Sequence, residues 1–193
     1  MQTTLYLARH GETQWNKLHR FQGQLDSKLT ELGEQQSLQL GVTLSENDID
    51  CIISSPLGRA VATAKICQQE LNVETEIEVN LSERDLGQWQ GKSVEALSSN
   101  AIYSEVLQQF TDIAPAGGES AQACGKRIYQ ALETIAHNAI NKRVLVIFHG
   151  EALRCFLLSL GQQHTENAYQ LFGNGSVFKL RYQHKKAEFQ AVL

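Results

Sequence analysis

Two short apolar runs, each ending at a histidine, restrict the fold most strongly. Leu5–Ala8 is followed by Arg9 and His10, and Val144–Phe148 is followed by His149. Fully apolar runs of this length are typical of strands buried on both faces, as in parallel sheets. Because the carboxyl ends of parallel strands face one side and bind ligands there, both histidines are predicted to lie at one edge of a sheet.

The rest of the chain alternates strand and helix patterns. Further strands are predicted at Cys51–Ile53, Glu76–Leu81, Val177–Tyr182 and Glu188–Leu193. Helices are predicted from Thr30 to about Glu46, from Pro56 to Leu71, from Glu119 to Asn138 and from Glu151 to Leu160, with a loop over Thr13–Lys28. Ser55 is expected to cap the helix that starts at Pro56. This alternation predicts an α/β fold, a single three-layer α/β/α domain over residues 1–193 with a mostly parallel central sheet.

The composition restricts the classes of protein. The 193 residues are 42% hydrophobic and 20% charged, within the ordinary globular range. A net charge of −4 argues against a general surface for nucleic acid or anionic membranes. No apolar run approaches the roughly 20 residues that span a bilayer, and no secretory segment is apparent before the first strand. We therefore expect a cytoplasmic protein without nucleic-acid or membrane partners.

Neither the cysteines nor the histidines suggest a metal site. Cys51, Cys67, Cys124 and Cys155 show no Cys-x-x-Cys spacing and are expected to be reduced thiols. No two histidines are spaced to bind one metal from a single helix. The sequence therefore predicts no metal and no other cofactor.

Further reactive side chains follow the other predicted strands. Arg59 lies one turn into the helix after the second strand, and Glu83 follows the third. If the strands are parallel, these two side chains converge with Arg9, His10 and His149 in one crevice. Taken singly, each has a simpler interpretation: a core histidine, a solvated arginine, or a glutamate in a charged loop.

Four strings, in order, carry a resemblance to a known family. They are Leu-Tyr-Leu-Ala-Arg-His-Gly-Glu-Thr-Gln-Trp-Asn at 5–16, Ser-Ser-Pro-Leu-Gly-Arg-Ala-Val-Ala-Thr-Ala at 54–64, Leu-Ser-Glu-Arg-Asp-Leu-Gly-Gln-Trp-Gln-Gly at 81–91, and Gly-Gly-Glu-Ser at 117–120. This pattern resembles the histidine phosphatase superfamily, which includes the cofactor-dependent phosphoglycerate mutases. Within it, the chain is most similar to the short bacterial phosphatases, such as the α-ribazole phosphatases, and fructose-2,6-bisphosphatase-like domains are also similar. The resemblance implies a phosphoglycerate mutase-like fold and a phosphohistidine intermediate.

The resemblance also implies a role for each side chain in the crevice. His10 is the expected nucleophile, because an imidazole of pKa about 6.5 is largely neutral near pH 7. Its other ring nitrogen is expected to hold its proton against a backbone carbonyl near Gly11. Arg9, Arg59 and His149 are expected to bind the phosphoryl group, and Glu83 to act as the general acid. The residues expected to make further phosphate contacts are Asn16, Gln22, Gly23 and Gly150.

Three functions stay open at this stage. The first is a metal-independent phosphomonoesterase acting on a small phosphorylated metabolite, with α-ribazole 5'-phosphate as one candidate. The second is a phosphoglycerate mutase, disfavoured because Asn100–Ile113 contains no lysine or arginine to hold a doubly phosphorylated cofactor. The third is a catalytically silent phosphate-binding protein. Glu151 departs from the family pattern and is expected to point away from the phosphate or to influence substrate choice. The oligomeric state cannot be inferred from the sequence.

Overall fold

A six-stranded sheet forms the centre of the computed structural model, which describes residues 1–162 and 168–191. Its strands are β1 (Gln2–Arg9), β2 (Cys51–Ser54), β3 (Thr75–Ile77), β4 (Arg143–Phe148), β5 (Val177–Gln183) and β6 (Glu188–Ala191), in the spatial order β3-β2-β4-β1-β5-β6. The first four in this order pair in parallel, whereas β5 and β6 add an antiparallel edge. The apolar run in β4 lies inside the sheet, between β2 and β1.

Helices cover both faces of the sheet. They are α1 (Gln14–Lys17), α2 (Glu31–Leu44), α3 (Gly58–Leu71), α4 (Val94–Leu97), α5 (Tyr103–Gln108), α6 (Ala121–Asn138), α7 (Gly150–Ser159) and α8 (Ala168–Leu171). Alternate side chains of β1 point to opposite faces, so Tyr6 and Ala8 pack under α2 and α3 while Leu5 and Leu7 pack under α6 and α7. The predicted three-layer α/β/α fold is confirmed. No helix in the described ranges is long and apolar enough to cross a membrane.

The start of α3 differs from the prediction. Leu57 is extended and is the N-cap, so the helix begins at Gly58 rather than at Pro56. Ser55 therefore lies before the cap position, although its hydroxyl accepts a hydrogen bond from the Leu57 amide at 3.3 Å. The sequence suggested a different boundary because Ser-Pro commonly precedes a first helical turn.

Other boundaries also differ from the prediction. β3 ends at Ile77 and gives way to a 3₁₀ turn at Val79–Leu81, so the predicted strand to Leu81 was too long. The predicted loop at Thr13–Lys28 contains the short helix α1. The last two residues of the predicted final strand lie outside the described residues.

Close backbone packing fixes the loop after β1. A Cβ at Gly11 would overlap the Gly33 carbonyl oxygen in α2, and a Cβ at Gly33 would overlap the Glu12 carbonyl oxygen. The amide of Gly11 donates to the Thr63 hydroxyl of α3 at 3.0 Å. The loop that follows Arg9 and His10 is thus held directly against the helical layer.

Candidate active site

The register of the parallel pair β1 and β4 brings the two histidines together. Arg9 is aligned with Phe148, so the next residue of each strand is a histidine, His10 or His149. The amide of His10 donates to the Phe148 carbonyl at 3.1 Å. The two imidazole centroids lie 5.3 Å apart, with an interplanar angle of 59°. Both rings are buried.

His10 is held in one tautomer by its own loop. Its Nδ1 lies 2.7 Å from the Gly11 carbonyl oxygen, as predicted, and because a carbonyl only accepts, Nδ1 carries the proton. The Nε2 lone pair is therefore exposed to the cavity side, where it accepts a hydrogen bond from Arg59 Nε at 3.2 Å. Burial lowers the pKa of His10 well below its ordinary value, and Arg59 and Arg9 lower it further. The ring is neutral and nucleophilic across the physiological range.

Two buried guanidinium groups flank this ring. Arg59 donates through Nη2 to the Gly23 carbonyl and through Nη1 to the Leu25 carbonyl, both at 2.7 Å, and pairs with Asp26 at 3.2 Å. Arg9 donates through Nη1 to the Phe172 carbonyl beyond α8 at 2.5 Å. Carbonyl acceptors orient a guanidinium group without neutralising its charge. The Asp26 carboxylate, whose side chain is 36% exposed, offsets only part of the charge of Arg59. Both arginines line the cavity, where their charge can attract an anion.

His149 is positioned by Ser55. Its Nε2 lies 2.7 Å from the Ser55 hydroxyl, and no described residue hydrogen-bonds its buried Nδ1. Burial lowers the pKa of His149 well below its ordinary value, with Arg59 and His10 acting in the same direction. If Ser55 donates to Nε2, the proton of the neutral ring is on Nδ1, which is then a hydrogen-bond donor inside the site.

Replacing Ser55 by alanine is expected to weaken competitive inhibition by inorganic phosphate about tenfold, because His149 loses the partner that sets its tautomer. Titration of phosphate against a chromogenic phosphomonoester measures this constant. Ser55→Thr retains the hydroxyl and should restore most of the affinity. An unchanged inhibition constant in Ser55→Ala would show that this hydrogen bond does not position His149 for an anion.

Glu83 binds to the amino terminus of α7. Its Oε1 accepts the backbone amides of Arg84 and Ala152, both at 2.8 Å, and its Oε2 accepts the amide of Glu151 at 3.2 Å. The free amides at a helix amino terminus attract anions, and two of them here hold the Glu83 carboxylate. Burial raises the pKa of Glu83; Arg59 lowers it and Glu151 raises it, and the balance lies above its ordinary value.

The four residues predicted to make further phosphate contacts all line the same cavity: Asn16, Gln22, Gly23 and Gly150. The cavity has a volume of about 230 Å³ and is also lined by Arg9, His10, Arg59 and Glu83. His149 is not a lining residue, but its ring centroid lies 5.3 Å from that of His10. The structure thus brings all the predicted site residues to one place. No cluster of three or more histidine, cysteine or carboxylate residues fit to hold a metal ion is present in the described part of the chain.

Comparison with known proteins decides the family. Residues 5–192 match the family model described as "Histidine phosphatase superfamily (branch 1)". The chain belongs to the histidine phosphatase superfamily. The resemblance predicted from the four strings is confirmed.

The proteins that this chain resembles carry different functional names. The chain is 36% identical over 158 residues to the "Probable phosphoglycerate mutase GpmB" of Salmonella choleraesuis, covering 81% of this chain and 74% of that protein. Among solved structures, it superposes on "Bacillus stearothermophilus YhfR" with a TM-score of 0.88 at 29% identity, covering 99% of this chain and 96% of the other. It also superposes on a phosphoserine phosphatase of Entamoeba histolytica, solved with 3-phosphoglyceric acid, with a TM-score of 0.82 at 28% identity over 99% and 95% of the two chains.

In this histidine phosphatase, the structure adds a site residue that the sequence did not indicate. Asn174, in the turn before β5, donates through Nδ2 to the His10 carbonyl at 3.1 Å and to Asn16 Oδ1 at 3.2 Å. The Asn16 oxygen also accepts the amide and hydroxyl of Thr13, both at 3.1 Å. With its oxygen occupied in this way, the amide group of Asn16 is the part that can donate to an anion.

Glu151 points into a buried ion-pair cluster. Its carboxylate pairs with Arg154 through two hydrogen bonds at 3.0 Å and with Arg84 at 3.3 Å, and both arginines are fully buried. Burial alone would raise the pKa of Glu151, but the two arginines hold it below its ordinary value. Glu151 nevertheless lines the cavity, and its side chain is 7% exposed, so its negative charge lies at the wall of the site. The sequence left open whether this side chain points away or influences substrate choice.

Proposed function

We propose that this histidine phosphatase is a metal-independent phosphomonoesterase that hydrolyses a small phosphorylated metabolite through a phosphohistidine at His10. One observation carries the proposal: a neutral imidazole with a fixed Nδ1 proton shares a cavity with two guanidinium groups and a carboxyl group of raised pKa. Phosphoryl transfer requires a nucleophile, cations for the equatorial oxygens and an acid for the leaving oxygen. The phosphatases among the structural neighbours support the same class of reaction.

In the first step, His10 Nε2 attacks phosphorus while the ester P–O bond breaks. The hydrogen bond that Arg59 Nε donates to Nε2 is transferred to a phosphoryl oxygen as Nε2 becomes bonded to phosphorus. The departing electron pair stays on the leaving oxygen, which takes a proton from Glu83. Oε2 is the oxygen that carries this proton, because Oε1 already accepts two short backbone hydrogen bonds and Oε2 accepts one long one.

In the second step, water attacks the phosphohistidine and Glu83 takes the proton that the water releases. The N–P bond breaks, inorganic phosphate leaves, and His10 returns to the neutral tautomer. Arg9, Arg59 and His149 bind the phosphoryl oxygens in both steps, and the developing charge strengthens these hydrogen bonds. The amide groups of Asn16 and Gln22 and the backbone at Gly23 and Gly150 supply further donors.

A mutase is the second candidate, because the curated relatives carry that name. A mutase returns the phosphoryl group to a bound sugar acid, which requires cations beyond those at the phosphate. Tyr103 and Leu107, from the segment without lysine or arginine, line the cavity of this chain. Water is therefore the favoured acceptor. α-Ribazole 5'-phosphate remains one candidate substrate.

Two assays separate these functions. Phosphate release is measured from a panel of phosphorylated sugars, sugar acids, nucleotides and α-ribazole 5'-phosphate, and conversion of 3-phosphoglycerate to 2-phosphoglycerate is measured with the bisphosphate cofactor. We expect phosphate release without isomerisation. Isomerisation faster than phosphate release would establish the mutase, and no turnover of any ester combined with tight phosphate binding would establish a silent binding protein.

Activity should be highest at acidic pH, and its dependence on pH should differ between leaving groups. Protonation of His10 removes the nucleophile, and its lowered pKa places this acid limb below the ordinary histidine range. Loss of the Glu83 proton removes the general acid, and its raised pKa places this alkaline limb above the ordinary glutamate range. The measurement is kcat/KM as a function of pH. We expect kcat/KM to fall at alkaline pH for an alkyl phosphomonoester and to fall much less for para-nitrophenyl phosphate. Identical alkaline limbs would exclude Glu83 as their source.

A further inference from the structure

One side of the cavity is apolar and rigid. Five lining residues, here called the apolar wall, belong to or pack against one hydrophobic cluster: Phe21, Leu86, Val94, Tyr103 and Leu107. The Tyr103 ring stacks on Trp89 at 6.0 Å with an interplanar angle of 20°, and Phe21 lies within 6.4 Å of both rings. Rings packed on one another in this way present a fixed surface to a ligand.

The positive charges that line the cavity are confined to the phosphate-binding residues. Arg9 and Arg59 are the arginines among the described lining residues, and no described lysine lines it. The exposed imidazole of His19 also lines the cavity. A ligand that uses both guanidinium groups for its phosphoryl oxygens therefore finds no further lysine or arginine there.

Glu151 adds a fixed negative charge to the same cavity. Arg84 and Arg154 hold its carboxylate in place, but neither arginine lines the cavity. Arg84 is further fixed by hydrogen bonds to the Glu119 carbonyl at 2.9 Å and the Val106 carbonyl at 2.6 Å. Of the three charged residues in this cluster, Glu151 is thus the one that lines the cavity.

We propose that the cavity selects phosphomonoesters whose leaving group is an uncharged aromatic group, and that Glu151 excludes leaving groups that carry a second negative charge. The inference rests on the proposed phosphatase function and names its substrate class. The aromatic ring of such a leaving group buries apolar surface and makes edge or face contacts with the rings of Tyr103 and Phe21. A second carboxylate or phosphate loses its hydration beside the apolar wall without gaining a cation, and Glu151 repels it.

The test uses three esters of matched phenols, so that leaving-group chemistry is constant and only the remote charge varies. They are para-ethylphenyl phosphate (neutral), the phosphate ester of para-hydroxyphenylpropionate (anionic) and tyramine phosphate (cationic). For the wild-type protein we expect kcat/KM for the neutral ester to exceed that for the anionic ester at least about tenfold, the size of a single like-charge interaction in a partly dry site. The cationic ester should equal or exceed the neutral one.

Two variants assign this discrimination to Glu151 and to the wall. In Glu151→Gln, the ratio of kcat/KM for the neutral ester to kcat/KM for the anionic ester should fall by about tenfold. A general loss of activity affects both esters equally and cancels in this ratio. Glu151→Gln leaves two buried arginines without their carboxylate, which can destabilise the protein, so Val94→Lys is used as a second test. A lysine at the partly exposed start of α4 should raise kcat/KM for the anionic ester relative to the neutral one. Glu95→Gln, at an exposed neighbour of Val94 that does not line the cavity, is the control and should leave the ratio unchanged.

The outcomes separate this inference from the proposed function. Phosphate release from the neutral ester with at least tenfold discrimination, lost in Glu151→Gln and reduced in Val94→Lys, supports both. Equal kcat/KM for the neutral and anionic esters overturns the selection while the phosphatase stands. Discrimination that survives in both variants overturns the role of Glu151 and of the wall. No phosphate release from any of the three esters, or from the wider panel, overturns the proposed function itself.

Discussion

Replacing His10 by asparagine is expected to lower kcat for every phosphomonoester by about 10⁴-fold or more, because the Nε2 lone pair that attacks phosphorus is lost. Asparagine is small enough for the buried site and keeps a polar group near the Gly11 carbonyl. Phosphate release with para-nitrophenyl phosphate measures the effect over many orders of magnitude.

The control for this variant is His137→Gln. His137 is exposed on α6, where its ring contacts Tyr182 rather than the cavity, so its loss should leave kcat within about twofold. A fall of less than about tenfold in His10→Asn, in protein with an unchanged melting temperature, would remove His10 from the role of nucleophile.

Replacing Glu83 by glutamine is expected to have the second largest effect, and the effect should depend on the leaving group. A positioned general acid typically contributes 10²–10⁴-fold, so alkyl phosphomonoesters such as glycerol 2-phosphate should lose about 10³-fold in kcat/KM, which reports formation of the phosphohistidine and not its hydrolysis. para-Nitrophenyl phosphate has a leaving group that departs without a proton, and it should lose less than about tenfold in the same first step.

The ratio of the two losses is the diagnostic quantity. Glutamine keeps an acceptor for the amides of Arg84 and Ala152 but places a second donor beside the Glu151 amide, so some loss common to all substrates is expected. That common loss cancels in the ratio. Equal losses for alkyl and nitrophenyl esters would mean that Glu83 supports α7 but does not supply a proton to the leaving group.

The convergence of the site could be predicted from the sequence because parallel strands impose it. Arg9, His10 and His149 each follow an apolar run, and parallel pairing places such residues at one edge without knowledge of the strand order. The order itself, with β4 between β2 and β1, is not encoded in any local pattern. The helices were predictable on a different basis, since each buries one face on which apolar residues recur with helical periodicity.

The residues that position the reactive groups were harder to predict. Asn174 lies 164 residues from His10 and sits in an ordinary turn, so its contact depends entirely on tertiary structure. Ser55 could be interpreted as a helix cap, because the same residue type suits both roles. The pair of Glu151 and Arg154 has helical spacing and was in principle visible, whereas the contact of Glu151 with Arg84 spans 67 residues.

Trapping the covalent intermediate tests the central claim most directly. The wild-type protein is mixed with a phosphomonoester labelled in its phosphoryl group, quenched in base within milliseconds, digested and mapped by mass spectrometry. We expect an acid-labile, base-stable phosphoryl group on His10 Nε2 that forms and decays at rates consistent with turnover. A labelled residue other than His10, or turnover with no labelled protein at any quench time, would contradict phosphoryl transfer through this histidine.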